Sequence, residues 1–231
     1  MTVLRLLSGG AAQGLVTALA PQFEAETGCR VEGTFGAVGA RAAELRAGAP
    51  ADLLILTAAL IKQLEREGYV VPGSAIDLGT VPTAVAVRAG DPAPSVADAD
   101  ALRAALLAAD KIHFPDPQQA TAGIHFAKVL ENLDIREAVE ANLKTYPNGA
   151  TAMRALAAST GERPLGCTQA TEILNTPGVA LVGPLPPGCD LATTYTAAVC
   201  AKASSPGPAA RFIACLAAYS AREPRRRAGF A

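Results

Sequence analysis

The sequence contains no tryptophan, and aromatic residues make up only 4% of it. That scarcity argues against a sugar-stacking site or a base-stacking platform, both of which need rings to offer. Two histidines, His113 and His125, are too few for a typical multi-histidine metal site, and neither a metal nor a cofactor is expected. The five cysteines (Cys29, Cys167, Cys189, Cys200 and Cys215) form an odd count with no CxxC spacing. This argues against a disulfide framework or a zinc knuckle and fits a reducing compartment. A formal charge of −1 removes any global pull toward nucleic acid or anionic lipid. No apolar run approaches the ~20 residues that a membrane span requires. Met1-Thr2 leads directly into an apolar stretch, with no charged start, long apolar segment or cleavage site. A cytoplasmic location is therefore expected, with a periplasmic one as the alternative if a signal has been removed upstream.

What is present is a core. Half of the 231 residues are hydrophobic, enough for one large α/β domain or two small lobes. The run Val3–Leu7 ends in Ser8-Gly9-Gly10 and opens into a helix-prone segment with Leu15, Leu19 and Phe23 four apart. A strand, a tight turn and a helix start leave backbone N–H groups at the positive end of the helix dipole, a natural place for an anion. Pro21 is expected to kink or divide that helix, and Gly28 to close it. Val31–Phe35 reads as a second strand, Gly36–Gly39 as a second glycine-bearing turn, and a helix runs from about Ala40 to Gly48. Asp52 leads a buried strand over Leu53–Leu56, and Thr57 caps the next helix. This alternation is the pattern of a parallel sheet covered on both faces, whose ligands sit at the carboxyl ends of strands.

Further on, Val81–Arg88 is a long extended run interrupted by Pro82, and Ser95–Asp98 resembles a capping-box start. A helix over about 100–110, a strand over Lys111–Phe114 and a helix capped by Thr121 follow. Two short helices, near 135–143 and 150–158, precede a strand at Pro164–Cys167. A helix opens at Thr168–Ala170, and Val179–Val182 is another strand. Thr193–Ala201 is a second long extended run, and Ala209–Ser220 is the last long helix. Arg225–Arg227 reads as a solvated helix end. Two extended runs separating α/β modules predict two lobes joined by two crossing strands with a ligand cleft between them. The expected division is 1–82, 83–192 and a return of 193–231 to the first lobe.

Several segments together resemble the molybdate-binding branch of the type 2 periplasmic binding proteins. They are Ser8–Gly10, Phe35 to Leu53 with its Ala-Gly-Ala-Pro-Ala-Asp run, Asp116–Phe126, Leu165–Gln169, Gly183–Pro186, Thr194–Thr196 and the ending Ala228-Gly229-Phe230. The resemblance implies a two-lobed α/β protein that closes on a small anion with hydroxyls and backbone N–H groups at its strand–helix turns. Carried over by position, those turns are Ser8, Gly9 and Gly10; Ala37, Val38 and Gly39; Thr121, Ala122 and Gly123; and Cys167 and Thr168, with Tyr195 on the returning strand. The branch also includes aconitate isomerase, so the resemblance implies either an enzyme or a binding protein.

Where molybdate binders of this branch carry serines, this chain has Gly10 and Ala37-Val38-Gly39. A tetrahedral oxyanion loses side-chain donors here, each worth about 1.5–3 kcal/mol toward a charged group. Arg41, just inside the second helix, could instead engage a carboxylate with two parallel bonds. A small di- or tricarboxylate is therefore the expected ligand, and an allylic proton shift of the aconitate type the expected reaction. The alternatives are the substrate-binding component of an anion transporter, with a permease as partner if the chain is secreted, and a binding-only oxyanion sensor. Gln169 can donate an amide to the ligand. Tyr195, His125 and Cys167 are the candidate proton carriers, with the Cys167 thiol expected to be acidified by a helix start. His125 also fits a satisfied packing histidine, and Glu172 a solvated helix face.

Overall fold

The computed structural model describes residues 2–231. The chain divides into two compact units, one built from the segment up to Val81 together with Thr193–Ala231, the other from Pro82–Ala192.

In the first unit, β1 (Thr2–Gly9), α1 (Gln13–Thr27), β2 (Cys29–Gly36), α2 (Val38–Arg46), β3 (Leu53–Thr57) and α3 (Ala58–Arg66) alternate as the periodicity predicts. β1 pairs in parallel with both β2 and β3, so it is interior, and Leu4, Leu6, Leu7 and Ser8 are buried. The register sets Ser8 opposite Phe35 and Gly9 opposite Gly36, which places the two glycine turns side by side at one end of the sheet. β3 is apolar on both faces, as a covered strand must be. Pro21 does not divide α1, which continues to Thr27 and ends on Gly28 at φ 68°. Leu15, Leu19 and Phe23 are all buried, and the Phe23 ring lies 4.8 Å from Phe212 of the returning chain. Packing on both sides of Pro21 outweighs its one missing backbone bond.

β4 (Ile76–Arg88) is longer than expected and carries the chain from the first unit into the second at Pro82. The second unit then holds α4 (Ala99–Ala108), β5 (Lys111–Pro115), α5 (Thr121–Asn132), α6 (Arg136–Val139), β6 (Leu143–Tyr146), α7 (Gly149–Ala157), β7 (Pro164–Gln169), α8 (Ala170–Leu174) and β8 (Val179–Pro184). Its sheet runs β6-β5-β7-β4-β8, parallel from β6 to β7 and antiparallel around β4. The helix expected over 135–143 stops at Val139, because Leu143–Tyr146 pairs with β5 as a strand. The cap of α4 is Asp98, which accepts from Ala101 N at 2.8 Å, so the helix starts three residues later than a Ser95 cap would place it.

The chain returns through β9 (Ala192–Val199), antiparallel to β3, then α9 (Pro206–Ala217) and α10 (Arg222–Arg227). Asp52 explains the Ala-Pro-Ala-Asp run. Its carboxylate is 1% exposed and accepts from Arg5 N at 2.8 Å, Ser204 Oγ at 2.9 Å and Ser205 N at 3.0 Å. It joins β1, the start of β3 and the segment entering α9. The terminal Ala-Gly-Phe is also structural: Phe230 is buried, and Ala231 exchanges backbone bonds with Thr80 at 2.9 and 3.0 Å. Gly79, at φ 140°, leaves room for that ending, since a methyl group there would meet Ala231 O at 2.7 Å. Arg225 is not simply solvated; its guanidinium donates to Leu216 O and Ala218 O and finishes α9.

Burial by itself would raise the Asp52 pKa, but the bonds donated by Arg5, Ser204 and Ser205 outweigh it and hold the carboxyl below its ordinary value. The stability that Asp52 contributes is therefore present above the ordinary carboxylate range and lost as pH falls through the lowered value. Asp52→Ala should cost about 2–3 kcal/mol at neutral pH by stranding buried donors. It should also flatten part of the acid limb of the stability curve. Denaturant unfolding at neutral and acid pH checks both.

Candidate functional site

The helix starts differ in their caps, and α6, α8, α9 and α10 have no side-chain cap bond. α3, α4 and α7 are capped by side chains: Thr57 accepts from Leu60 N, Asp98 from Ala101 N and Asn148 from Thr151 N. The turn Gly10–Ala12 that leads α1, and the helices α2 and α5, have Gly9, Ala37 and Ala120 at the cap position and no side-chain cap bond. None of these three has an acidic residue in its first turn. Their surroundings are closed: Gly9, Ala11, Ala37, Val38, Ala120 and Ala122 are all buried. A buried helix start normally finds an acceptor, and at these three neither a cap side chain nor a first-turn acid supplies one. These are the turns that position alone assigns to the ligand.

In the first unit, Ser8 is fully buried at the end of β1, and its hydroxyl donates to Gly9 O at 2.9 Å. Gly9 has to be small, because a methyl group on it would lie 2.9 Å from Val38 Cγ1 and 3.1 Å from Tyr195 Cε1. That close approach brings the first turn, the second turn and Tyr195 together. Tyr195 is 2% exposed, pairs with Thr57 across β3 and β9, and meets Phe230 edge-on with ring centroids 6.3 Å apart. Gly10 opens the 3-10 turn and Gly39 is the second residue of α2.

Arg41 folds back over Gly36, where an added methyl group would contact its Nε at 3.4 Å and its Cζ at 3.6 Å. One guanidinium nitrogen, Nη2, pairs with Glu44 Oε1 at 2.6 Å. The Nε is buried and has no hydrogen-bond partner among the described residues. The arginine side chain is only 14% exposed, so this is a held guanidinium with an unused donor rather than a surface charge.

In the second unit, α5 begins one residue earlier than a Thr121 cap would require: Ala120 is the cap and Thr121 is the first helical residue. Thr121 has to extend the helix there, and its hydroxyl makes no cap bond. Gly123 lets α5 press on the turn before it, since a methyl group would collide with the carbonyls of Pro115 and Asp116. Thr168 and Gln169 lie at the end of β7, which extends two residues beyond Cys167, and both are buried. The Thr168 hydroxyl donates to Glu172 Oε2 at 2.6 Å.

A family model described as bacterial extracellular solute-binding protein matches residues 4–231. The chain belongs to this family. It is also 28% identical over 230 residues to the aconitate isomerase of Pseudomonas sp., covering 96% of this chain and 84% of that protein. Among solved structures, the periplasmic molybdate-binding protein of Azotobacter vinelandii superposes with a TM-score of 0.81 at 20% identity, over 99% of this chain and 98% of that one. The sulfate-binding protein SubI of Mycobacterium tuberculosis H37Rv gives 0.79 at 21%, over 100% and 86%. At such identities the likeness is one of fold, and the fold is that of the type 2 periplasmic binding proteins.

Within this solute-binding fold, two expected proton carriers are placed elsewhere. Cys167 is 1% exposed in the core of the second unit with Phe114, Phe126 and Leu165, and burial raises its thiol pKa where a helix start was expected to lower it. Strand alternation explains the difference: Cys167 points to the opposite face from Thr168. His125 is a satisfied packing histidine, with Nε2 2.7 Å from Cys189 O. His113 is also internal, 2.9 Å from the Tyr146 hydroxyl, with burial lowering its pKa to about 4. Gly149 and Glu172 were missed: Glu172 is buried, not solvated, and the two residues meet at the start of α7. The signal was in the sequence, since Gln169-Ala170-Thr171-Glu172 has the spacing of a helix start with glutamate at its third position.

Ala120→Asp should report on the uncapped start of α5. The carboxylate would supply the missing cap and stabilise the protein by about 1 kcal/mol. It should also weaken anion binding at least about tenfold, a change of about 1.4 kcal/mol. Thermal melting and ligand titration of the same variant separate the two effects.

Proposed function

We propose that this solute-binding family member takes a small anion, that the anion is a di- or tricarboxylate, and that the protein shifts a double bond along it as an isomerase of the aconitate type. The observation that carries the reading is Arg41, a half-buried guanidinium with a buried, unused Nε beside the uncapped, acid-free start of α2. Backbone N–H groups at such starts accept any small oxyanion. The planar fork of an arginine selects a carboxylate, and the absence of hydroxyl side chains at Ala37–Gly39 disfavours a tetrahedral guest. The likeness to an aconitate isomerase supports the choice of substrate class.

The chemistry asks for two things. A proton leaves the carbon next to a carboxylate while the electron pair forms the new double bond. A proton then returns to the carbon at the far end of the allylic system. Charge builds on the carboxylate in between, where the helix starts and Arg41 stabilise it. Of the three candidate proton carriers, Tyr195 is the one that stands with the anion turns, against Gly9. Family membership supports a second reading, capture of the same anion for a transport permease with no chemistry, and this reading requires a secreted protein.

A thermal-shift panel of molybdate, sulfate, phosphate, citrate and cis- and trans-aconitate tests the ligand class. At 100 times its dissociation constant, a true ligand should stabilise by about 2.7 kcal/mol. Response to tetrahedral oxyanions alone would refute the carboxylate. Proton NMR of cis-aconitate with the protein in heavy water should then show trans product and deuterium uptake, and their absence leaves only the capture reading. Arg41→Ala should weaken carboxylate binding at least about tenfold while changing stability by less than about 1 kcal/mol.

A further inference from the structure

Glu172 is the third residue of α8, 7% exposed, and its carboxyl group serves two helix starts at once. Within α8 it accepts from the backbone N–H of Gln169, the cap residue. Across to α7 it accepts from the N–H groups of Gly149 and Ala150, the first two residues of that helix. The Thr168 hydroxyl, near the end of β7, is its fourth partner. Asn148 completes the α7 start through Thr151 N. Gly149 has no side chain for a steric reason: a methyl group there would collide with Glu172 Oε2 and Thr168 Oγ1. One carboxyl group therefore joins three segments, β7, α8 and α7, beside Thr168 and Gln169.

We propose that Glu172 is a positioning residue, which locks the Thr168 hydroxyl and the first turn of α7 to the end of β7. The assignment rests on the anion-binding reading above. Burial raises the pKa of this carboxyl despite the hydrogen bonds that lower it. No charged neighbour offsets that burial. On the elements packed against α8, Arg154 of α7 is engaged with Thr151, Cys167 of β7 belongs to the core on the other face, and β8 carries no titratable residue. What the geometry requires at this position is an acceptor, because the N–H groups of Gln169, Gly149 and Ala150 and the Thr168 hydroxyl all donate to the same carboxyl group.

The test compares the full-length wild type with Glu172→Gln and Glu172→Ala. Amide hydrogen exchange is read without ligand, and cis-aconitate affinity is titrated at neutral pH. Glu172→Ala should speed exchange at Gly149 and Ala150 at least about tenfold and weaken cis-aconitate by a similar factor. Glu172→Gln keeps one accepting oxygen but turns N–H donors toward the remaining backbone donors, so it should recover only part of either effect. Unchanged exchange in Glu172→Ala, or full recovery of it in Glu172→Gln, overturns the lock. If Glu172→Ala does not fold, Thr168→Val takes its place, because it keeps the shape and removes one partner. A wild type that binds no cis-aconitate defeats the carboxylate reading, while exchange at Gly149 still decides the lock.

Discussion

The first unit depends on one buried carboxylate. Among the described residues Asp52 has no ion-pair partner; its negative charge is held by three backbone N–H groups and a serine hydroxyl drawn from β1 and the segment entering α9. These donors lie at opposite ends of the chain, so the same charge fixes the register of β1 and the seat of the returning segment. Ser8 and Gly9 stand on that strand, and Tyr195 on the strand that returns.

Glu172 is the counterpart in the second unit, and comparing the two acids shows how environment sets charge. Both are buried and accept several backbone bonds, yet Asp52 is shifted toward its ionised form and Glu172 toward its neutral one. At Asp52 the donated bonds outweigh burial, and at Glu172 burial outweighs the bonds. Each acid joins segments that are distant in the chain or separate in the fold, Asp52 across β1 and the segment entering α9, Glu172 across β7, α8 and α7.

Much of this was legible in the amino-acid order. Strand–turn–helix alternation, the 3.6-residue periodicity of α1 and α3, and glycine at helix ends are local signals, and local signals survive into the fold. The Ala-Pro-Ala-Asp run and the terminal Ala-Gly-Phe stood out as segments, but their purpose rests on contacts across more than a hundred residues. The turns proposed for the ligand could be picked out because strand–turn–helix junctions are local too. What failed depended on tertiary context: whether Leu143–Tyr146 extends a helix or pairs with a strand, and which face of β7 carries Cys167. Glu172 was misplaced because amphipathic spacing cannot be judged in a helix of five residues. The missing caps at Gly9, Ala37 and Ala120 gain their meaning only beside the burial of their surroundings.

The order in which the two units can be completed follows from the path of the chain. Residues Pro82–Ala192 are one uninterrupted stretch, so on a ribosome every strand of the second unit is present before the first unit has its last one. β3 must wait for β9, Asp52 for Ser204 and Thr80 for Ala231. During that interval a fully apolar strand has an unpaired edge, a hazard for a nascent chain. Of these joins the one made by Ala231 comes latest along the chain, which makes the unit that holds β1 the later one to mature.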